Sequence, residues 1–595
     1  KHGVKLSQDF QRELEEFEKQ SAELIVSSVI DSRRTAFPYA EARAYLNEVE
    51  DSILSHLALF KGQGQPKPEG QEEQQDAPAG DDAAFRMFTV NLILDNSQTT
   101  ESPVIIETQP TFNNIFGTIE KVYDARGVWI TDFTKIKAGS LLRANGGYLI
   151  INALDALTEP GVWKTLKRVL LHRKIEIQPI DTVFQVTQSA LKPEAIPTNV
   201  KVLIIGDEDI YDALYQYEED FKKIFKINAT FDYEMDRSKT AMLDYAKFIR
   251  RLSDEEELLP FSRNGVAAVI NFSARRAGRQ KKLTTQFSDV ADLVREAHFF
   301  AQQAKARVVT ADFVEQALQE TIKRNGMLND KLQEMIEENM MLIDTSGERV
   351  GQINGLAVYQ LANTMFGKPS RITASVGVGS AGIINIERES KLSGSTHDKG
   401  VLILAGYFRE KFATDKPLTF SSSICFEQSY SGVDGDSASS TEIYALLSAL
   451  SGIPIKQQFA VTGSVNQKGD IQPIGGVNEK IEGFFDVCNA RGLTGNQGVL
   501  IPYQNVEDLM LKKEVIDAVR KNKFSLYPVH TIDEGIAILT GKNAGKKTNG
   551  KFEAGSLNYH VDKRLREFTE LLNDHKTGTK KPSKAFEERP KKKGK

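Results

Sequence analysis

The 595-residue chain contains only two cysteines, Cys425 and Cys488, which excludes a disulfide-stapled module and a four-thiolate zinc site. Such scarcity points to a reducing compartment, the cytoplasm. No apolar run approaches the roughly 18 residues that a membrane-spanning helix needs. The longest, Gly147-Tyr-Leu-Ile-Ile and Val401-Leu-Ile-Leu-Ala, read as buried strands. A membrane is therefore not an expected partner. Excess positive charge is missing as well, and a net charge of −5 argues against a surface built for nucleic acid. The first residues, Lys1-His-Gly-Val-Lys-Leu-Ser-Gln-Asp-Phe, hold neither a methionine nor the apolar stretch of a secretory signal. That is the pattern of a chain without its native beginning.

What is present is globular in composition, with 26% charged and 40% hydrophobic residues. At roughly 100–200 residues per domain, the length calls for about three to five units. Residues 1–60 carry Phe10, Leu14, Phe17, Leu46, Val49, Ile53 and Leu57 at helical spacing, as in a coiled-coil-like hairpin. Residues 61–84 are Gly/Gln/Pro/Glu-rich and read as a flexible linker. Residues 85–240 alternate β-branched runs (Phe88 to Leu94, Gly147 to Ile151, Val200 to Gly206) with helical stretches such as Trp163 to Leu171, the pattern of a layered α/β core. Residues 241–340 are helical throughout. Strand signals return for a mixed domain over 341–545, and 546–595 reads as a basic, partly disordered tail with one amphipathic stretch, Val561 to Leu572.

The chemistry concentrates in the 341–545 domain. Ser437 follows an Asp-Gly-Asp turn and opens a helix with apolar Ile443, Leu446, Leu447 and Leu450. Unpaired N–H groups and a positive dipole there suit a serine whose attack on a carbonyl creates an oxyanion, although an Asp-x-Ser is equally an N-cap. Of the eight histidines only His397, in a polar loop, and His530, at a strand end, fall in this domain, which leaves little support for a Ser-His-Asp triad. Lysine is the other base to weigh. In Gly475-Gly-Val-Asn-Glu-Lys-Ile-Glu-Gly-Phe-Phe-Asp-Val-Cys, Val477, Ile481, Phe484, Phe485 and Cys488 form one stripe. Lys480 projects from its edge, unlike Glu479, Glu482 and Asp486. Desolvation at a core edge lowers an amine's pKa and leaves a base for a serine proton, while a snorkelling lysine gives the same pattern. Thr462 ends the short strand Phe459-Ala-Val between the two sites.

Taken together, Asp434-Gly-Asp-Ser-Ala-Ser, Val461-Thr-Gly with Gly469, and Pro473-Ile-Gly-Gly-Val-Asn-Glu-Lys480 resemble the proteolytic domain of the Lon proteases. The run Phe426-Glu-Gln-Ser-Tyr-Ser-Gly-Val-Asp-Gly-Asp-Ser-Ala-Ser is similar to the B-type and related bacterial branch. Thr462 and Lys480 follow Ser437 by 25 and 43 residues, the separations of that family. The resemblance implies Ser437 as nucleophile, Lys480 as general base and Thr462 as the residue that helps hold the lysine. It implies Asp434 as a modulatory acid that pairs with the lysine in some relatives, and Glu427 as an acidic strand position near the site.

Upstream, Ile130 to Ile151 resembles the Walker B region of an AAA+ module, and 240–330 its helical lid. The expected architecture is thus α/β multidomain: a partial AAA+ α/β core, an all-helical lid, then an α+β Lon-type proteolytic domain. The family implies a homohexameric ring that uses ATP and Mg²⁺ to unfold proteins for a serine endopeptidase. This sequence departs from it. No G-x-x-x-x-G-K-[ST] loop occurs, Asn152 stands where a Walker B carboxylate helps hold Mg²⁺, and Ala277-Gly-Arg-Gln replaces Ala-Gly-x-Arg in the lid. Two explanations remain open, a phosphate loop upstream of this chain or a member that digests unfolded chains without ATP. The rival function is a non-proteolytic chaperone or scaffold ring that binds unfolded chains.

Overall fold

The computed structural model describes residues 2–60, 85–123, 129–178, 191–361, 364–430 and 432–577. The linker read over 61–84 and the Lys-rich end from 578 lie outside the described residues. The chain divides into two compact units, Lys1–Ala229 and Thr230–Lys595.

In the first unit, α1 (His2–Ala36) and α2 (Ala40–Ser55) pack as a hairpin. Glu50 of α2 accepts from Ser27 and Arg34 of α1, each at 2.5 Å. A parallel sheet follows in the order β1 (Val104–Glu107), β2 (Tyr148–Asn152), β3 (Lys201–Ile205). Side chains alternate across it. Ile105, Leu149, Ile151, Val202 and Ile204 meet a core that includes Val162, Leu166 and Val169 of α3 (Val162–His172), whereas Val104, Ile106, Leu203 and Ile205 are exposed. The strand expected over Phe88 to Leu94 is not one. After a short 3-10 turn the segment runs as coil, since among the described residues no strand pairs with it; the Asn91 amide donates to the carbonyls of Phe133 and Ile136 at 2.9 and 3.2 Å.

The second unit opens with helices α4 (Lys239–Glu255), α5 (Arg263–Arg276), α6 (Phe287–Gln303), α7 (Ala311–Asn325) and α8 (Met327–Glu337). Ser238 and Ser262 cap α4 and α5 by accepting from the N–H groups of Ala241 and Gly265. The segment is not wholly helical, since Glu234–Asp236 pairs antiparallel with Lys282–Thr284.

A seven-stranded mixed sheet follows, in the order β6, β7, β5, β4, β8, β9, β10. Its strands are β4 (Gln352–Leu361), β5 (Thr364–Val378), β6 (Gly382–Asn385), β7 (Phe420–Phe426), β8 (Phe459–Val461), β9 (Gly498–Pro502) and β10 (Ser525–Val529). Helices cover both faces. Val461 and Leu500 point to the core built with α9 (Ser395–Phe412) and α10 (Ser439–Ser451), while Ala460, Val499 and Ile501 point to the core built with α11 (Val477–Ala490). Val401-Leu-Ile-Leu-Ala lies inside α9, not in a strand: a short apolar run has no period of its own, and here helical neighbours decide. Of the tail expected over 546–595, the described part ends in a packed helix. Leu557, Val561, Leu565 and Phe568 of α12 (Leu557–Thr577) are buried in the core that holds α10.

Candidate active site

Alternation along β8 sends its neighbours to opposite faces, so α10 and α11 lie on opposite sides of the sheet. Their first turns nevertheless converge where β8 ends, at Thr462. Ser437 sits two residues before α10, partly exposed, and Lys480 sits in the first turn of α11, 3% exposed. The Lys480 Nζ lies 2.8 Å from Ser437 Oγ and 3.3 Å from Thr462 Oγ1.

Each partner is held by backbone. The Ser437 carbonyl accepts from Gly463 N–H at 2.8 Å and from the Thr462 hydroxyl at 3.3 Å, and Ser440 N–H returns to the Gly463 carbonyl at 3.1 Å. Gly435, at φ +90, makes the left-handed turn that delivers Ser437, a conformation costly for residues with a Cβ. On the other side, Gly367 of β5 and Gly483 of α11 touch through their backbones; a Cβ on Gly483 would collide with the Gly367 carbonyl. The helix can therefore lie close enough to the sheet for Lys480 to reach Ser437.

Burial pushes the Lys480 amine down from its usual value to about 8, against the upward pull of the Asp436 and Glu479 charges. An amine so depressed is partly neutral at neutral pH and has a lone pair for the Ser437 proton. Among the described residues, it is the base within hydrogen-bond reach of that hydroxyl.

The two acidic positions take different partners. Asp434 is not brought to Lys480. Its Oδ1 accepts from the N–H groups of Thr396, His397 and Gly435, at 3.2, 3.2 and 2.8 Å, and so straps the serine loop to the start of α9. Those bonds hold its carboxyl below the usual range. Glu427 pairs with Arg371 at 3.8 Å, at the end of β7.

Other polar groups near the loop escaped the sequence reading. Asp436, adjacent to the serine, accepts from Ser464 at 2.8 Å. His397 is buried on α9, not in a loop, against Asn385 (3.3 Å) and Glu442 (3.8 Å). Burial lowers the His397 pKa and, with the Glu387 charge, raises that of Glu442 to about 8. Glu482 is buried too, although helical periodicity places it away from the core stripe. Its partner is Arg275, 207 residues distant in sequence, a pairing no local pattern carries. In the first unit Asn152 ends β2 and caps the next helix, accepting from Asp155 N–H at 3.2 Å.

Three family models match this chain: "LonB-like, AAA domain" over residues 100–232, "Archaeal LonB, AAA+ ATPase LID domain" over 260–324, and "Lon protease (S16) C-terminal proteolytic domain" over 425–541. The last spans Ser437, Thr462 and Lys480. A Lon protease homolog of Escherichia coli (strain K12) is 32% identical over 406 residues, 68% of each chain. A Lon protease homolog of Haemophilus influenzae is 32% identical over 415 residues, 68% of this chain and 67% of its own. An archaeal Lon protease of Archaeoglobus fulgidus is 27% identical over 467 residues, 77% of this chain and 70% of its own. An AAA-like domain, a helical lid region and a proteolytic domain thus follow one another along the chain, which belongs to the Lon protease family as a Lon-type serine peptidase.

Proposed function

We propose that Ser437 and Lys480 form the catalytic dyad of this endopeptidase. The observation that carries the assignment is the 2.8 Å approach of a buried amine to a partly exposed hydroxyl. Ser437 Oγ attacks the scissile carbonyl as the Lys480 amine takes its proton. The resulting ammonium returns that proton to the leaving amine, and an acyl-enzyme remains. The same amine then deprotonates a water molecule, whose attack releases the acid product and restores the serine. Thr462 orients the amine, and the turn before α10 offers the positive end of that helix to the oxyanion. Asp434 modulates the site through the loop rather than through the lysine, and Glu427 is an acidic supporting position beside Arg371.

The substrates are unfolded or damaged proteins in the cytoplasm, handled by a homo-oligomeric ring, a hexamer in the family pattern. Support comes from the family membership and from two unpaired cysteines, Cys425 and Cys488. The AAA+ relationship implies ATP and Mg²⁺, and the residues present do not fit that pair. The Asn152 side chain is a neutral amide engaged in a helix cap, and this sequence carries no phosphate-cradling loop. No step above is routed through nucleotide.

The test is degradation of unfolded casein and of a fluorogenic peptide by the purified chain. Ser437→Ala and Lys480→Ala should each lower kcat more than about 1,000-fold. Cleavage that survives both substitutions would refute the dyad, and binding of casein without any cleavage would favour the scaffold.

A further inference from the structure

The Arg275 side chain ties the lid to the helix that carries Lys480. Arg275, in the last turn of α5, donates from Nη1 and Nη2 to the two oxygens of Glu482, each at 2.8 Å, and from Nη1 to the Met510 carbonyl at 3.0 Å. Its Nη2 also lies 3.5 Å from Glu479. A single guanidinium therefore faces both carboxylates that flank Lys480 in sequence. The fork geometry of this contact is specific to arginine, and both carboxylates have little water to compensate for a lost partner: their side chains are 16% and 5% exposed.

The segment that receives the lid is itself tied to α11. Asn478 donates to the Asp508 carbonyl at 3.0 Å and accepts from Met510 N–H at 2.7 Å, and Lys512 N–H donates to Glu482 at 2.8 Å. Beyond Arg275, the lid touches the same segment through Gln280, whose N–H meets the Glu507 carbonyl and whose amide donates to the Leu509 carbonyl at 2.9 Å. Lys281 pairs with Glu507 at 2.8 Å. Other charges facing this cluster are Glu315 of α7, Lys512, and Asp486 of α11. Facing the Lys480 amine itself are Asp436 and Glu479.

We propose that Arg275 is a positioning residue of the peptidase site, docking the lid on the helix that bears Lys480 and balancing the two carboxylates beside that lysine. The proposal rests on the Ser437–Lys480 reading. With Arg275 withdrawn, the Glu479 charge that pulls the amine toward its ammonium form is left unbalanced, and the ammonium is no base. Movement of the lid away from α11 thereby turns the dyad down.

The experiment is the pH profile of peptide hydrolysis by the full chain, with a melting curve for each variant. Arg275→Met should move the ascending limb of kcat/KM upward by about 0.5–1 pH unit and lower the rate below that limb about three- to tenfold. Arg275→Lys keeps the charge but loses the fork, and should move the limb less than Arg275→Met does. The neutral cluster Arg275→Met/Glu479→Gln/Glu482→Gln should return the limb to wild type or below. Should the single Met variant fail to fold, this triple variant, with no unpaired buried charge, carries the test alone. A limb unmoved in Arg275→Met, or a limb raised in the triple variant, overturns the proposal. Retained hydrolysis in Ser437→Ala or Lys480→Ala would instead overturn the dyad, so the two failures are distinguishable.

Discussion

At the scale of the residue, Lys480 couples activity to stability through one proton. Its amine titrates at about 8 in the fold against an ordinary 10.5, so the base is unprotonated in a growing fraction as pH rises through 8. Peptidase activity should ascend from pH 7 to 9 with a single limb near that value. Stability follows the opposite partner of the same equilibrium. Between about pH 8 and 10.5 the unfolded chain binds a proton that the folded one does not, so the wild type should gain stability across that window. Below it both states are charged and the full cost of burying an ammonium remains. Lys480→Met should therefore melt at a higher temperature than wild type at pH 7, with the difference shrinking by pH 10, while losing activity. Thr462→Val tests the neighbouring contact: with the 3.3 Å bond to Nζ gone and volume kept, kcat should fall about five- to twentyfold at little change in KM.

At the scale of the element, the site exists because α10 and α11, on opposite faces of one sheet, end their approach at β8. The sequence made Ser437, Thr462 and Lys480 legible through spacing and through the apolar stripes that place each beside a core. The rest was illegible for a common reason: it depends on distant partners. Glu482 reads as a solvent-facing glutamate until α5 supplies Arg275. His397 reads as a loop residue until Asn385 and Glu442 surround it. Phe88 to Leu94 has strand composition, but a strand requires a neighbouring strand, and none among the described residues pairs with it. The amphipathic stretch after Val561 was visible as a helix, yet its spacing could not say what it covers. Since Leu565 is fully buried beside α10, Leu565→Ala should destabilise the second unit by about 2–5 kcal/mol in urea titration, an effect no solvated tail would show. Gly483→Ala acts on the other helix. The new methyl pushes α11 off β5, so kcat should drop well beyond any change in KM, with Lys480 displaced from Ser437.

At the scale of the whole molecule, the two units have cores of unequal quality. In the second, the large sheet is covered on both faces, and α10 is buried nearly all round. In the first, the described residues cover a three-stranded parallel sheet on one face, and among them Val104, Ile106, Leu203 and Ile205 are exposed on the other. Parallel sheets ordinarily owe their stability to burial on both sides, so the described part of the first unit has less apolar burial to hold it. Both tryptophans, Trp129 and Trp163, lie in that unit, and Trp163 packs on Phe221 and Phe225 while its indole N–H donates to Glu218 at 3.0 Å. Tryptophan fluorescence is thus a reporter of the first unit alone. Urea should quench or shift it at a lower midpoint than the one at which serine labelling by a fluorophosphonate is lost, since the labelled site belongs to the second unit. A single shared midpoint for both signals would mean that the chain unfolds as one cooperative body, and the inequality of the two cores would then have no energetic consequence.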